Sequence, residues 1–346
     1  PFDVFLCISA AKEGHLHVLS WAREMGCPWD ALTCAYFAAK NGHLHVLQWL
    51  RDNSCSWDAS VLNGAIKNKQ NHVISWLLDM GCPCDNFTCE LAAKEGNLDI
   101  LQIAHKNGRK LSATVINNAL EGGHSHVISW LMDMNCPCNS STWYSAARKG
   151  NLDVLVWMHR LGHSMVIYTP TCELAAEYGH HHVLTWAYEN GFELTARASY
   201  GAARGGHVHI LSWLRNMGCP WTERTCAFAA GSGHLSTLQW LHKSGCPWDD
   251  LTSAFAAASG HLSILIWLKD MGCPFTKYTW RYAVDSQSHT RQFQILEWLI
   301  KNNCPRGGGD DEGEGEGDDE TVIDTLEKSL ECYTSLVWLL EHADEY

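Results

Sequence analysis

The sequence predicts an all-α solenoid of about twelve helix-turn-helix repeats, and three observations predict it. First, the pattern G-H-L-x-V-L-x-W-L recurs, with clear copies beginning at Gly14, Gly42, Gly123, Gly179, Gly206, Gly233 and Gly260, and Asn replacing His in the copies at Gly96 and Gly150. Second, one position keeps register: Trp21, Trp49, Trp76, Ile103, Trp130, Trp157, Trp186, Trp213, Trp240, Trp267, Trp298 and Trp338, mostly 27 residues apart. A fixed period of this length is the signature of a repeat array, in which no single core forms and each unit buries its apolar face on its neighbours. Third, the joint between units is itself repeated: Gly26-Cys27-Pro28-Trp29-Asp30 returns letter for letter at Gly245–Asp249 and nearly so at Gly218–Thr222.

The first helix of a unit is typified by TCELAAKEG, Thr88 to Gly96. Thr88 reads as the N-cap, the paired alanines permit close packing, and the glycine ends the helix. The second helix is typified by HLHVLQWLRDN, His43 to Asn53, where Leu44, Leu47 and Leu50 form a stripe that Val46 and Trp49 widen. A Gly or Asn then stops it, and the Cys-Pro that follows forbids continuation, because proline lacks an N–H and pushes the preceding residue out of the α region. Histidine opens most second helices and is expected to cap them or to pack across to the next repeat; a column of histidines buried neutral would lower stability in mild acid.

These units resemble ankyrin repeats. Thr33-Cys34-Ala35-Tyr36-Phe37-Ala38-Ala39 stands where that family has its T-P-L-H-x-A-A helix. Gly42 to Leu50 matches its second helix, and Gly26 to Asp30 takes the place of its G-A-D-V-N. The resemblance runs from Pro1 to about Leu340, and the sequence is similar to short, Trp- and Cys-rich ankyrin-like arrays of large DNA viruses and protists. It implies an ankyrin-like solenoid whose β-hairpin fingers are shortened or absent, since the units are 27 residues long where the family's are 33. In such arrays an F-box often precedes the repeats. None is visible in this sequence, which opens at Pro1 inside a repeat and leaves room for an upstream or targeting segment.

Three segments are expected: repeats one to eleven over 1–306, an acidic disordered insertion over 307–320, and a degenerate capping repeat over 321–346. The run from Gly307 to Glu320 carries eight acids and no base, so of the net charge of −13 only −5 belongs to the body. That acidity is the ground for expecting no nucleic-acid partner. No apolar run is long enough to insert in a membrane. Sixteen cysteines in 346 residues are too sparse for a disulfide scaffold and point to a reducing, intracellular compartment, cytoplasmic first.

Candidate chemistry is thin. Cys27, Cys55, Cys82, Cys136, Cys219, Cys246, Cys273 and Cys304 form one column, and Cys7, Cys34, Cys89, Cys172 and Cys226 a second; both read as small buried fillers. In two joints Cys84 and Cys138 replace the tryptophan, which leaves open a zinc or redox role, although C-x-C is not the C-x2-C knuckle. His180-His181-His182 reads as structural, and Trp29, Trp57, Trp221 and Trp248 as inter-repeat packing. No nucleophile–base pair, phosphate loop or carboxylate pair recurs, so no enzyme, cofactor, metal or small-molecule substrate is expected.

What varies from repeat to repeat is the pair after the first-helix cysteine column, from Ala35/Tyr36 through Ala227/Phe228, Ala254/Phe255 and Arg281/Tyr282. First helices line the concave side of ankyrin-like stacks. That places a partner-protein strip at Glu90, Asn117, Tyr144, Glu173, Tyr200 and Arg281, with Lys12, Lys40, Lys67, Lys94, Arg148 and Arg204 along its rim. The function expected is a non-catalytic interaction scaffold or adaptor. The alternatives are a structural subunit of a large assembly and the substrate-recognition module of an F-box ubiquitin ligase.

Overall fold

The structure is a computed structural model that describes residues 3–162, 170–284 and 289–305. Among the described residues there are 22 α-helices and no strand. They form eleven pairs. The first six are α1 (Val4–Lys12) with α2 (Leu16–Glu24), α3 (Ala31–Asn41) with α4 (Leu44–Asp52), α5 (Ala59–Lys67) with α6 (Asn71–Asp79), α7 (Asn86–Glu95) with α8 (Leu98–Lys106), α9 (Ala113–Gly122) with α10 (Ser125–Asp133), and α11 (Ser140–Lys149) with α12 (Leu152–Arg160). The remaining five are α13 (Pro170–Glu177) with α14 (His181–Glu189), α15 (Ala196–Arg204) with α16 (Val208–Asn216), α17 (Glu223–Gly231) with α18 (Leu235–Lys243), α19 (Asp250–Ala258) with α20 (Leu262–Asp270), and α21 (Lys277–Val284) with α22 (His289–Lys301). The expected acidic insertion over 307–320 and capping repeat over 321–346 lie outside the described residues.

The chain divides into two compact units, Pro1–Ser164 and Met165–Tyr346. Within each, first helices pack on first helices: α1 on α3, α3 on α5 and α7 on α9 in one, α13 on α15, α17 on α19 and α19 on α21 in the other. Alanine makes this possible. Ala38, Ala39, Ala92, Ala93, Ala202, Ala203, Ala256 and Ala257 are fully buried, so the helix backbones approach without a side chain between them. Second helices contribute the larger groups: Val46, Leu47 and Leu50 of α4 are fully buried, as are Ile264, Leu265 and Leu268 of α20. Each such leucine stabilises its unit by about 1.5–3 kcal/mol through burial.

The helix starts differ from the sequence expectation in one respect. Thr88 is not the N-cap of α7. The cap is Asp85, three residues earlier, and Thr88 completes a capping box at N3: its N–H donates to Asp85 Oδ1 at 2.7 Å, and Asp85 N–H donates to Thr88 Oγ1 at 3.2 Å. Asn139 with Thr142 and Thr222 with Thr225 repeat the arrangement. The last residue of the joint, the aspartate of GCPWD, is therefore already the helix cap. α3 follows Asp30 directly, with no finger between. At the other end of the joint, Gly26 takes a left-handed φ of 73°, Gly26 N–H donates to Arg23 O at 3.0 Å, and Cys27 N–H donates to Ala22 O at 2.9 Å, which ends α2 in a Schellman-type turn.

Candidate functional site

The cysteine of the joint closes its own repeat. Its thiol donates to the carbonyl of the residue that caps the repeat's first helix, 24 positions earlier: Cys27 to Asp3 O at 3.3 Å, Cys136 to Ser112 O at 3.4 Å, Cys219 to Thr195 O at 3.2 Å and Cys273 to Asp249 O at 3.5 Å. Cys82 and Cys246 make the same bond at 3.6 Å. A small, weakly donating, apolar side chain suits a buried carbonyl that needs one partner and has little room. Burial pushes the thiols of Cys82, Cys136 and Cys273 up to about 12, which disfavours the thiolate that metals and oxidants require. Cys84 and Cys138 are half-buried, and burial raises both. Among the described residues no group of three or more His, Cys, Asp or Glu is placed to hold a metal ion.

The histidines act between repeats rather than on their own helices. His43, at the start of α4, makes no side-chain bond to α4; its Nε2–H donates to Lys12 O at the end of α1, 2.9 Å away. His124 does the same to Lys94 O at 2.9 Å, His207 to Glu177 O at 3.0 Å and His234 to Arg204 O at 3.0 Å. Because a carbonyl only accepts, each of these rings carries its proton on Nε2. Where the sequence has Gln70, its amide Nε2 donates to Lys40 O at 3.5 Å, so the role is that of a donor and not of a metal ligand. A second row repeats the device two residues along: His45, His72 and His126 donate to the carbonyls of Gly14, Gly42 and Gly96 at 2.9, 2.9 and 3.0 Å. The glycine that ends the first helix belongs to this latch at Gly14, Gly96, Gly179, Gly206 and Gly233. Gly96 has φ +83°, and a Cβ there would stand 2.7 Å from Nδ1 of His124 in the next repeat. In the His180–His182 cluster the rings of His180 and His182 lie 5.9 Å apart, while His181 turns to the ring of Trp213 in the next repeat at 4.9 Å.

The joint tryptophans pack as expected. Trp29 meets Trp49 of the next repeat edge-on at 6.0 Å and carries the guanidinium of Arg23 at 4.3 Å. Trp221 does the same with Trp240 at 6.1 Å and Arg215 at 4.4 Å. Trp57 pairs with Trp76 at 5.5 Å, and Trp248 with Trp267 at 5.7 Å under a stacked His242. This pairing accounts for Cys84: the register position it would face is Ile103, the one unit in the series without a tryptophan there. Nothing in the structure explains Cys138.

The predicted strip lies on first helices, one residue per repeat. Glu90 accepts from Thr114 Oγ1 of the next repeat at 2.7 Å, Glu173 pairs with Arg197 and Arg204 at 3.5 and 3.4 Å, and the hydroxyls of Tyr200 and Thr222 are 3.0 Å apart. Asn117 is half-buried, with an Oδ1 that has no hydrogen-bond partner, and Tyr144 is half-buried too. Arg281 is exposed. Three of the six are thus engaged with the following repeat as well as facing outward. The rim cations behave similarly: Arg148 pairs with Glu121, and Arg204 pairs with Glu177 at 2.9 Å.

Apart from Tyr200, the strip omits a row of aromatic rings on this face. Tyr200, Phe228, Phe255 and Tyr282 follow one another down successive first helices, with ring centroids 5.4, 5.8 and 6.1 Å apart. Beside them a groove of about 310 Å³ is lined by Phe228, Gly231, Ser232, Phe255, Ala258, Ser259 and Tyr282. The signal lies in the sequence, three residues further on. The position after the paired alanines is charged in repeats one to eight, as Lys12, Lys40, Lys67, Lys94, Glu121, Arg148, Glu177 and Arg204, and becomes Gly231 and Ala258 in repeats nine and ten. Phe228 and Gly231, or Phe255 and Ala258, share one helix face at this spacing.

Fold and face together define a helical-repeat solenoid of the kind that presents a surface to partners. Residues 7–51 match the family model described as ankyrin repeats in many copies. The eleven helix pairs among the described residues are consistent with the ankyrin-like repeats that the sequence resembles. No curated protein matches the chain. Among solved structures, the pentatricopeptide repeat protein PPR10 in complex with an 18-nt psaJ RNA element aligns over 86% of this chain and 52% of its own, at 11% identity and a TM-score of 0.43. A form of PPR10 with cysteines replaced by serine, in complex with the same element, aligns to the same extent. PPR10 from maize aligns over 88% and 54%, at 15% identity and a TM-score of 0.35. The chain spans about half the length of those solved chains. The expectation of no nucleic-acid partner is corrected here, because helical-repeat proteins that this chain resembles in structure are found with RNA. The physical reason is that net charge is a sum over the chain. Of the −13, the run over 307–320 carries −8, and a sum does not determine the field on one face.

Proposed function

We propose that the chain is a non-catalytic scaffold or adaptor that binds a partner protein on the first-helix face of its array, through Glu90, Asn117, Tyr144, Glu173, Tyr200 and Arg281. The observation that carries this reading is the contrast between two kinds of position. Cysteine, histidine, glycine and the paired alanines recur because each makes the same kind of bond or contact wherever it recurs in several repeats. The first-helix positions beside them change from Ala35 to Glu90, Asn117 and Tyr200 on the same helical frame. Variation on a constant frame is what a face adapted to a particular partner requires. In this reading 1–306 forms the binding array, 307–320 is an acidic insertion and 321–346 caps the stack. The free thiols among the described residues fit a reducing compartment. Affinity capture with the wild-type chain and with a Tyr144→Ala, Tyr200→Ala, Arg281→Ala triple variant tests the strip. The variant is expected to lose partners that the wild type retains; identical recovery would remove these residues from the site.

A further inference from the structure

We propose that the lysine row at the C-terminal ends of α1, α3, α5 and α7, formed by Lys12, Lys40, Lys67 and Lys94, docks an extended acidic segment of a partner protein with a carboxylate at every third position. The proposal rests on the reading of the array as a protein-binding scaffold. It adds a second row of contacts and the chemistry of the chain that meets it.

The four lysines occupy one register, directly after the small or apolar pair that buries each first helix on its neighbour. α1 packs on α3, α3 on α5 and α5 on α7. The latch pins three of them further, since the backbone carbonyls of Lys12, Lys40 and Lys94 accept from His43, Gln70 and His124. Their side chains take no part in those bonds. Lys12, Lys67 and Lys94 are exposed and Lys40 is half-buried. Among the described residues Lys40, Lys67 and Lys94 pair with no carboxylate. Lys12 meets Glu13 at 3.4 Å, but both side chains are more than half exposed and water screens the pair. A cation at a helix C-terminus is favoured by the helix dipole. The dipole is the same in repeats five to eight, yet the register there is filled differently. Glu121 pairs with Arg148, and Glu177 pairs with Arg204 at 2.9 Å, while Arg204 also covers the ring of Phe228 at 4.5 Å. Repeats five to eight thus neutralise this register among themselves, whereas repeats one to four present cations in unbroken succession.

Spacing and chemistry select the occupant. Packed helices lie about 8–10 Å apart, which sets the step from one lysine to the next. A polyproline II strand has three residues per turn and rises about 3.1 Å per residue, so its same-face side chains stand about 9.3 Å apart. Carboxylates at every third position of such a strand therefore meet successive lysines. Nucleic acid is a poorer occupant. Single strands are held by open rings on which bases stack as well as by cations. The rings beside this row are engaged within the protein. Phe87 carries the ammonium of Lys67 at 5.4 Å. Tyr36, one turn before Lys40, meets Phe37 edge-on at 5.3 Å and lies against Gly64, where a Cβ would stand 3.0 Å from its ring. The row is also all lysine and lacks the guanidinium fork that grips a phosphate through two bonds.

The test is fluorescence anisotropy of fluorescein-labelled dodecapeptides with the full chain at about 0.1 M salt. One peptide has aspartate at every third position with proline and serine between. A second has the same composition with its aspartates together, and labelled U18 RNA is a parallel probe. The spaced peptide is expected to bind, and the block peptide to bind about tenfold more weakly. Lys40→Gln with Lys94→Gln should cost the spaced peptide about tenfold, because half the row's cations go while the latched carbonyls stay. Lys106→Gln with Lys243→Gln makes an equal change in charge at exposed helix ends outside the row. That double should cost less than about twofold, with melting curves of both doubles showing the array intact. Absence of binding by the spaced peptide overturns the proposal. So do equal affinities for the two peptides, which mark a response to charge alone, and equal losses with the two doubles. Tighter binding of U18 RNA than of either peptide, lost with Lys40→Gln and Lys94→Gln, overturns it in favour of a nucleic-acid row. Any of these results, obtained while the Tyr144→Ala, Tyr200→Ala, Arg281→Ala variant still loses captured partners, removes the lysine row alone and leaves the broader scaffold reading standing.

Discussion

Replacing Gly96 by alanine should uncouple two repeats, and a matched control isolates the effect. Gly96 and Gly81 both sit at left-handed φ, +83° and +68°, so alanine at either bears the same backbone penalty of about 1 kcal/mol. At Gly81 nothing lies within 4 Å of the new Cβ. At Gly96 the Cβ meets His124 at 2.7 to 2.9 Å along one edge of its ring. The ring must move, and its 2.9 Å bond to Lys94 O goes with it. The lost bond costs about 1 kcal/mol net, and the carbonyl left short of a donor at the repeat boundary adds up to about the same again. Gly96→Ala is thus expected to destabilise the array by about 2–3 kcal/mol against about 1 kcal/mol for Gly81→Ala. Urea titrations followed by helical circular dichroism measure both. In a His124→Ala background the latch is already gone, and the cost of Gly96→Ala should fall to that of Gly81→Ala, a coupling of about 1–2 kcal/mol. Equal costs for the two glycines in the wild-type background would refute the latch.

Two further outcomes follow from the same bonds. Burial holds His207 below its ordinary value, with His209, His234 and His180 adding repulsion, and only its bond to Glu177 O works the other way. The unfolded chain therefore takes up the proton first, and stability is lost as pH falls through about 6.5. His207→Gln, which keeps a donor for Glu177 O as Gln70 does for Lys40 O, should shrink the fall in melting temperature between about pH 7.5 and about pH 5.5; an undiminished fall would exclude His207 as its source. For the thiols, brief alkylation of the native protein near pH 8, read by peptide mass spectrometry, should label Cys84 and Cys138 before Cys82, Cys136 and Cys273, whose thiols are buried and pushed up to about 12. Equal labelling of Cys82 and Cys84 would contradict the hydrogen-bonded joint.

The fold is legible because every repeat states it again. Proline after cysteine, glycine after the paired alanines and the tryptophan register each mark a helix end, and their recurrence at one period leaves little freedom. What the sequence hides is local and ambiguous in kind. Asp85 and Thr88 are both good N-caps, and only the geometry shows that they act together, with aspartate first. Histidine stands at the expected helix end, but its partner is a carbonyl 30 residues back, and a relation between repeats is not written within one repeat. The strip comes from scanning a single register for tyrosine and arginine. The groove depends on two registers read together, ring and cover, at a spacing of three.

The distinction between frame and face follows from how these contacts add up. Each of these devices, a histidine on a carbonyl, a thiol on a cap, a cation on an indole, contributes on the order of 1 kcal/mol. An array of nearest-neighbour couplings this small tolerates the loss of one, as Gln70 for histidine and Ile103 for tryptophan show. Tolerated replacements keep the bond or keep the bulk. Gly231 and Ala258 do neither: they remove a charged cover that repeats one to eight all have, in two adjacent repeats, beside rings that the earlier repeats mostly lack. At Gly231 the stack itself supplies a reason, since a Cβ there would stand 3.2 Å from Cβ of Phe255, and the loss of the charge in two adjacent repeats opens the groove beside those rings.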